Sequence, residues 1–235
     1  MNITIIPGSY KPPHKGHLSL LEKLIKNKKT LKIIMIVSKK QRPLDSRFLY
    51  PLEHSKEELQ NALIEYFPSN KDDILLMTKA LIIKKINEMI SKNILKSVNA
   101  SQSLQVWNIY LDYLKKKYSN IVFPMIIFKI PETNNIIVET NKVILEIFRE
   151  YKLSENIKPK IILMKSMKNE HNTRFDSLEK RYKKYIEIKL FPNIKDIDAT
   201  GMRDAILKLD KDRFLTYLPE DLNIKEKNKI WKIFI

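Results

Sequence analysis

Residues 3–37 read ITIIPGSYKPPHKGHLSLLEKLIKNKKTLKIIMIV. The opening run, Ile3 to Ile6, is apolar and stops at Pro7-Gly8. The closing run, Leu31 to Val37, is rich in isoleucine and bounded by lysines, the pattern of a strand covered on both faces. Between them Leu18, Leu21, Leu24 and Ile25 recur at helical spacing. Strand, loop, helix, strand makes one βαβ unit, and its two strands must run parallel.

Working outward, Val122 to Phe128, Lys160 to Met164 and Tyr185 to Leu190 are further strand candidates, alternating with helical patterns at Ser101 to Lys117 and Thr140 to Tyr151. That alternation predicts an α/β fold: a Rossmann-like, doubly wound, mostly parallel five-stranded sheet with helices on both faces. Glu53 to Phe67 and Asp72 to Asn93 each read as one helix, and together they make the second crossover longer than a plain Rossmann unit needs. Residues 68–98 are therefore expected to be a helical insertion. Pro219 and the helical Lys225 to Phe234 mark 210–235 as a C-terminal helical appendage. With no Gly/Ser linker and no internal repeat, residues 1–235 are expected to form a single domain.

Composition narrows the classes. The chain has 235 residues, and 43% of them are hydrophobic, ample for a packed core. The absence of cysteine excludes disulfides, thiolate metal sites and a cysteine nucleophile, and favours an intracellular setting. MNITIIPGSY lacks the basic region of a signal peptide, and no apolar run approaches the roughly 18 residues of a membrane span. A cytoplasmic location without membrane attachment is expected. The net charge is +17, from 44 Lys plus Arg against 27 Asp plus Glu. Lysine, isoleucine and asparagine dominate as in a product of an AT-rich genome, so much of that charge reflects codon usage. A nucleic-acid partner stays open but is not the favoured reading; a basic face for anionic ligands is the sharper one.

The three glycines fall in two short segments. Gly8 and Gly16 lie in GSYKPPHKGH (Gly8 to His17), which also holds His14 and His17; Gly201 lies in IDATGMR (Ile197 to Arg203). At Gly8, after the first strand, a missing Cβ would let a ligand approach the main chain. Gly16 opens the first helix, whose N-terminal N–H groups favour an anion. Both belong to the crevice at the carboxyl ends of a parallel sheet.

GSYKPPHKGH resembles the first signature of the HxGH nucleotidylyltransferase superfamily, G-x-F-x-P-x-H-x-G-H, through Gly8, Tyr10, Pro12, His14, Gly16 and His17. IDATGMR is similar to the second signature, I-S-x-T-x-x-R, through Ile197, Thr200 and Arg203, with Asp198 in place of the usual serine. Val37 to Asp45, Ser101 to Tyr110, Lys168 to Leu178 and Phe214 to Leu222 resemble nucleotidyltransferase-like proteins of phages and giant DNA viruses, which extends the expected location to the cytoplasm of an infected host cell.

The resemblance implies transfer of a nucleoside monophosphate from an NTP to a small phosphorylated acceptor, with release of pyrophosphate and no covalent intermediate. His14, His17 and Arg203 would be catalytic. Gly8, Ser9, Tyr10, Gly16, Thr200, Gly201 and Met202 would bind the nucleotide. Lys11, Lys39, Lys40, Arg42 and Trp107 are candidates for the acceptor side, Trp107 reading more readily as a core ring. Arg174 and Asp176 have open roles near the expected base pocket. Mg²⁺ would arrive with the NTP, and no acidic cluster announces a metal site of the protein's own. The first motif sits nearer nicotinamide mononucleotide adenylyltransferases than cytidylyltransferases, which favours AMP over CMP. A class I aminoacyl-tRNA synthetase relative shares an H-x-G-H loop, but the chain is too short for one. A non-catalytic nucleotide- or RNA-binding module with the same fold stays open, as does homo-oligomerisation. Because both motifs are read as crevice loops, substitutions there are expected to cost transfer and little stability.

Overall fold

The computed structural model describes residues 1–152, 159–166, 175–191 and 198–235. Five parallel strands form the central sheet: β1 (Asn2–Gly8), β2 (Thr30–Val37), β5 (Met125–Lys129), β6 (Lys160–Ser166) and β7 (Ile186–Phe191), in the order β5-β2-β1-β6-β7. Each lies within a few residues of its sequence expectation. β3 (Arg42–Pro43) and β4 (Ser97–Val98) form a separate antiparallel ribbon. The ribbon left no sequence signal, because two-residue strands show no periodicity.

The helices are α1 (Lys15–Lys26), α2 (Lys56–Tyr66), α3 (Lys71–Leu76), α4 (Lys79–Ser91), α5 (Ala100–Lys117), α6 (Ile136–Lys152), α7 (Asp176–Tyr182), α8 (Ala199–Leu207), α9 (Lys211–Thr216) and α10 (Ile224–Lys232). Among the described residues none is long and apolar enough to cross a membrane.

The sheet is buried on both faces, as its continuous apolar runs require. Ile6, Ile33, Met35 and Val37 point into one core layer with Leu21 of α1, Trp107 and Tyr110 of α5, and Met202 and Ile206 of α8. Ile3, Ile5, Ile34 and Ile36 point into the other, against Val143, Ile144 and Ile147 of α6 and Leu178 of α7. Each such side chain contributes about 1.5–3 kcal/mol of burial. In the C-terminal stretch Phe214, Ile230 and Trp231 are buried in the first layer. Gln102 of α5 also donates to the Ile233 carbonyl at 3.0 Å.

A third apolar cluster joins Phe48, Leu59 and Leu63 to Ile74, Ile82, Ile86, Met89 and Leu95. Packing thus joins α2 to residues of the 68–98 segment. The expected single helix from Asp72 to Asn93 is two helices. Met77 is extended, and the Thr78 side chain accepts from the Leu81 N–H at 3.4 Å to start α4. The apolar spacing runs through this break because α3 and α4 feed the same cluster.

β2 and β6 flank β1 on opposite sides, so the chain reverses direction across the sheet there. In such sheets the crevice beyond the carboxyl ends of the strands is the ligand site. The Gly8 to His17 loop follows β1 at that place.

Candidate active site

The first motif is built around its own aromatic ring. Tyr10 has a left-handed backbone, with φ of 49°, which turns its ring back over β1. Its hydroxyl donates to the Ile6 carbonyl at 3.1 Å. A Cβ on Gly8 would lie 2.4 Å from the Tyr10 Cζ. The space left by Gly8 is thus filled from within the loop, in place of the expected ligand approach. Burial pushes the Tyr10 phenol well above its usual range, so it stays a neutral packing group.

His14 caps α1. Its Nδ1 accepts from the Gly16 N–H at 3.1 Å, while His17 Nδ1 accepts from the His14 N–H at 3.3 Å. The rings stack with centroids 3.8 Å apart. A ring nitrogen that accepts is unprotonated, so each neutral imidazole carries its proton on Nε2. The capping box therefore holds both histidines in the tautomer that donates from the far side of the ring. Burial, reinforced by the charge His14 can carry, holds the His17 pKa well below the usual value. Helix capping and a chemical role are compatible here, because they use different nitrogens.

The expected backbone donors of α1 are engaged. Lys15 N–H donates to the Tyr217 carbonyl at 2.8 Å, Gly16 N–H to His14 Nδ1, and the N–H groups of His17 and Leu18 to the His14 carbonyl. Gly201 is engaged too: its N–H donates to Asp198 Oδ1 at 2.7 Å, and a Cβ there would lie 2.1 Å from the Tyr217 hydroxyl oxygen. Asp198 is thereby the N-cap of α8, the role its serine counterpart would fill. The Met202 side chain is fully buried in the core, which leaves only its main chain for a ligand.

Arg203 binds the two motifs together. It is 4% exposed, donates from Nη1 to the Lys11 carbonyl at 2.7 Å and from Nη2 to Thr200 Oγ1 at 2.8 Å, and its Nε has no hydrogen-bond partner among the described residues. Burial and the charge of Arg42 push the guanidinium down to about 10, partly offset by Tyr50 and Asp198. Arg203 is thus buried in the fold and not displayed on an open loop.

The acceptor-side candidates separate. Arg42 donates from Nε to Ser9 Oγ at 3.2 Å and lies 5.4 Å from the ring centroid of Tyr50, in the stretch before α2. Burial, and then the Arg42 charge, lower the pKa values of Lys11 and Lys40. Arg42 thus repels Lys11, Lys40 and Arg203, and an anion beside it would offset that repulsion. Lys39 is exposed and donates to the Glu132 carbonyl at 3.2 Å. The Lys11 ammonium is not offered to the crevice: it is buried and donates to the Ser38 and Lys40 carbonyls. Trp107 is fully buried between Tyr10, Tyr110 and Phe128, a core ring with no face for a ligand. Asp176 opens α7, whereas Arg174 and Ile197 lie outside the described residues.

A family model described as cytidylyltransferase-like matches residues 5–144. The chain belongs to that family. No curated protein and no solved structure matches. The matched span holds the first motif and the turn after β2 but ends before Thr200 and Arg203, so the second motif rests on the resemblance and on the bond from Arg203 to Lys11.

Sequence reasoning passed over Tyr217, whose carbonyl caps α1 and whose ring packs on Gly201, and Tyr50. Tyr217 stood inside a segment noted for its resemblance, with nothing to say what it touched. Tyr50 carried no signal. Among the described residues no group of three or more His, Asp or Glu is placed to hold a metal.

Proposed function

We propose that this member of the cytidylyltransferase-like family transfers a nucleoside monophosphate, AMP in preference, from an NTP to a small phosphorylated acceptor of the nicotinamide mononucleotide type, releasing pyrophosphate. The observation that carries the reading is the bond from the buried Arg203 to Lys11, which joins an Nε donor lacking a described partner to the loop that carries two Nε2–H histidines.

In this reading an acceptor phosphate oxygen attacks the α-phosphorus, the bond from that phosphorus to the bridging oxygen breaks, and pyrophosphate leaves with the electron pair. The Nε2–H groups of His14 and His17 donate to phosphoryl oxygens as charge develops there. Arg203, steadied by Thr200, holds the β and γ phosphates, and Arg42 with Lys40 holds the acceptor's phosphate. Mg²⁺ travels with the triphosphate and neutralises part of its charge. The likeness of the first motif to nicotinamide mononucleotide adenylyltransferases supports AMP; the family description supports CMP transfer from CTP as the second reading.

The test is pyrophosphate release with Mg²⁺, scanning ATP and CTP against nicotinamide mononucleotide and a panel of phosphorylated alcohols and sugars. Release with ATP and the pyridine nucleotide is expected. Release with CTP alone would move the assignment to the second reading, and silence across the panel would refute transfer.

A further inference from the structure

We propose that Lys11 is a positioning residue for the acceptor side, whose buried ammonium clamps the turn at residues 38–40 against the first motif and so sets where Lys40 and Arg42 present their charges. What those cations bind rests on the transfer reading above; the clamp itself rests on geometry.

Lys11 is 1% exposed and ranks among the largest fully buried side chains of the described residues. A lysine that deep is ordinarily paired with a carboxylate. Here its hydrogen-bond partners are the main-chain carbonyls of Ser38 and Lys40. These belong to the turn that leaves β2 and leads into Arg42, and the turn is also tied to the first motif by Ser38 N–H donating to the Gly8 carbonyl at 2.9 Å. Two carbonyls converging on one cation replace the cross-strand bonds that a turn lacks. The other end of the residue matters as much, since the Lys11 carbonyl accepts from Arg203. One residue therefore joins the first motif, the turn after β2 and the second motif.

The charge acting on the ammonium is Arg42 from β3, and Tyr10, His14, Lys15 and His17 are the other titratable groups of its loop. No carboxylate offsets that charge among its described contacts. Burial and then Arg42 push Lys11 down to about 7. A neutral amine keeps two hydrogens but loses the charge that holds the carbonyl dipoles. The clamp should therefore be firm below neutrality and loosen above it.

The test uses the full chain as wild type, Lys11→Met and Lys11→Gln. Protection of the amides of residues 38–42 against hydrogen exchange, corrected for intrinsic rates, is followed from pH 6 to 9, together with KM for acceptor and for NTP. In wild type, protection at this turn should fall by about 10-fold through a midpoint near 7 while the central strands hold. Lys11→Met should show low protection at every pH and an acceptor KM raised about 10-fold, with the NTP KM within about 2-fold of wild type. Lys11→Gln, which keeps one donor without charge, should fall between.

Wild-type protection and wild-type acceptor KM in Lys11→Met would overturn the proposal, as would an equal rise in both KM values. The wild-type pH series decides the clamp even if Lys11→Met does not fold. If wild type released no pyrophosphate with any acceptor, the transfer reading would fail while the exchange data still judged the clamp.

Discussion

Arg203 donates its Nη1–H to the main-chain carbonyl of Lys11 at 2.7 Å, closing the second motif onto the first across 192 positions of chain. The bond fixes the loop after β1 and the start of α8 relative to each other before any ligand arrives. Preorganisation of this kind is what an electrostatic site needs, since donors already in place do not have to reorganise during the reaction. Its cost is visible in Arg203, buried with an Nε that has no partner among the described residues and with a depressed pKa.

Arg203→Met should therefore lose about 100-fold or more in turnover. It should also lose the thermal stabilisation that ATP gives the wild type, which ligand linkage sets at about 2.7 kcal/mol at 100 times Kd. A melting scan with and without nucleotide checks this. An Arg203→Met protein stabilised by ATP as strongly as wild type would remove the residue from the phosphate site.

Gly201→Ala should destabilise the fold by about 1–3 kcal/mol, because the new methyl meets the Tyr217 hydroxyl. Tyr217→Phe removes that oxygen and should recover part of the loss. Chemical denaturation of the two single variants and the double variant gives the coupling directly. Additive effects would contradict the packing described.

Thr4 lies in the middle of β1, fully buried, and its hydroxyl has no hydrogen-bond partner among the described residues. Thr4→Val keeps the shape and removes the stranded polar group, so it should stabilise the protein by about 1 kcal/mol with transfer unchanged. A loss of stability on denaturant titration would show that the hydroxyl is bonded after all.

The His17 pKa lies well below its ordinary value of 6.5 in the folded chain. Between the two values the unfolded chain binds more protons, so stability rises with pH across that window and falls on acidification below about 6.5. Urea midpoints from pH 7.5 down to 5 should drop more steeply in wild type than in His17→Asn. Parallel curves would place the titration elsewhere.

The sheet was legible because its strands are covered on both faces, so Ile3 to Ile6 and Leu31 to Val37 stand out as unbroken apolar runs. Both glycine-bearing segments stood out because glycine is so scarce in this chain. What the glycines do was not legible. Gly8 and Gly201 accommodate the rings of Tyr10 and Tyr217, and no local pattern says which ring will return to a given glycine. Lys11 misled for a related reason. A lysine beside a phosphate-type loop reads as an anion ligand until its ammonium is found on the carbonyls of a turn 27 and 29 residues away. The break at Thr78 was hidden because α3 and α4 share one apolar cluster, which preserves helical spacing across the interruption.

The most direct test of the account is the turnover of His17→Asn beside wild type, with the substrates the pyrophosphate scan identifies. An asparagine oxygen can still accept from the His14 N–H and keep the cap, while the Nε2–H donor is gone. The account predicts kcat lower by about 100-fold, the melting temperature and the KM for NTP little changed. Turnover equal to wild type in a folded His17→Asn protein would contradict it.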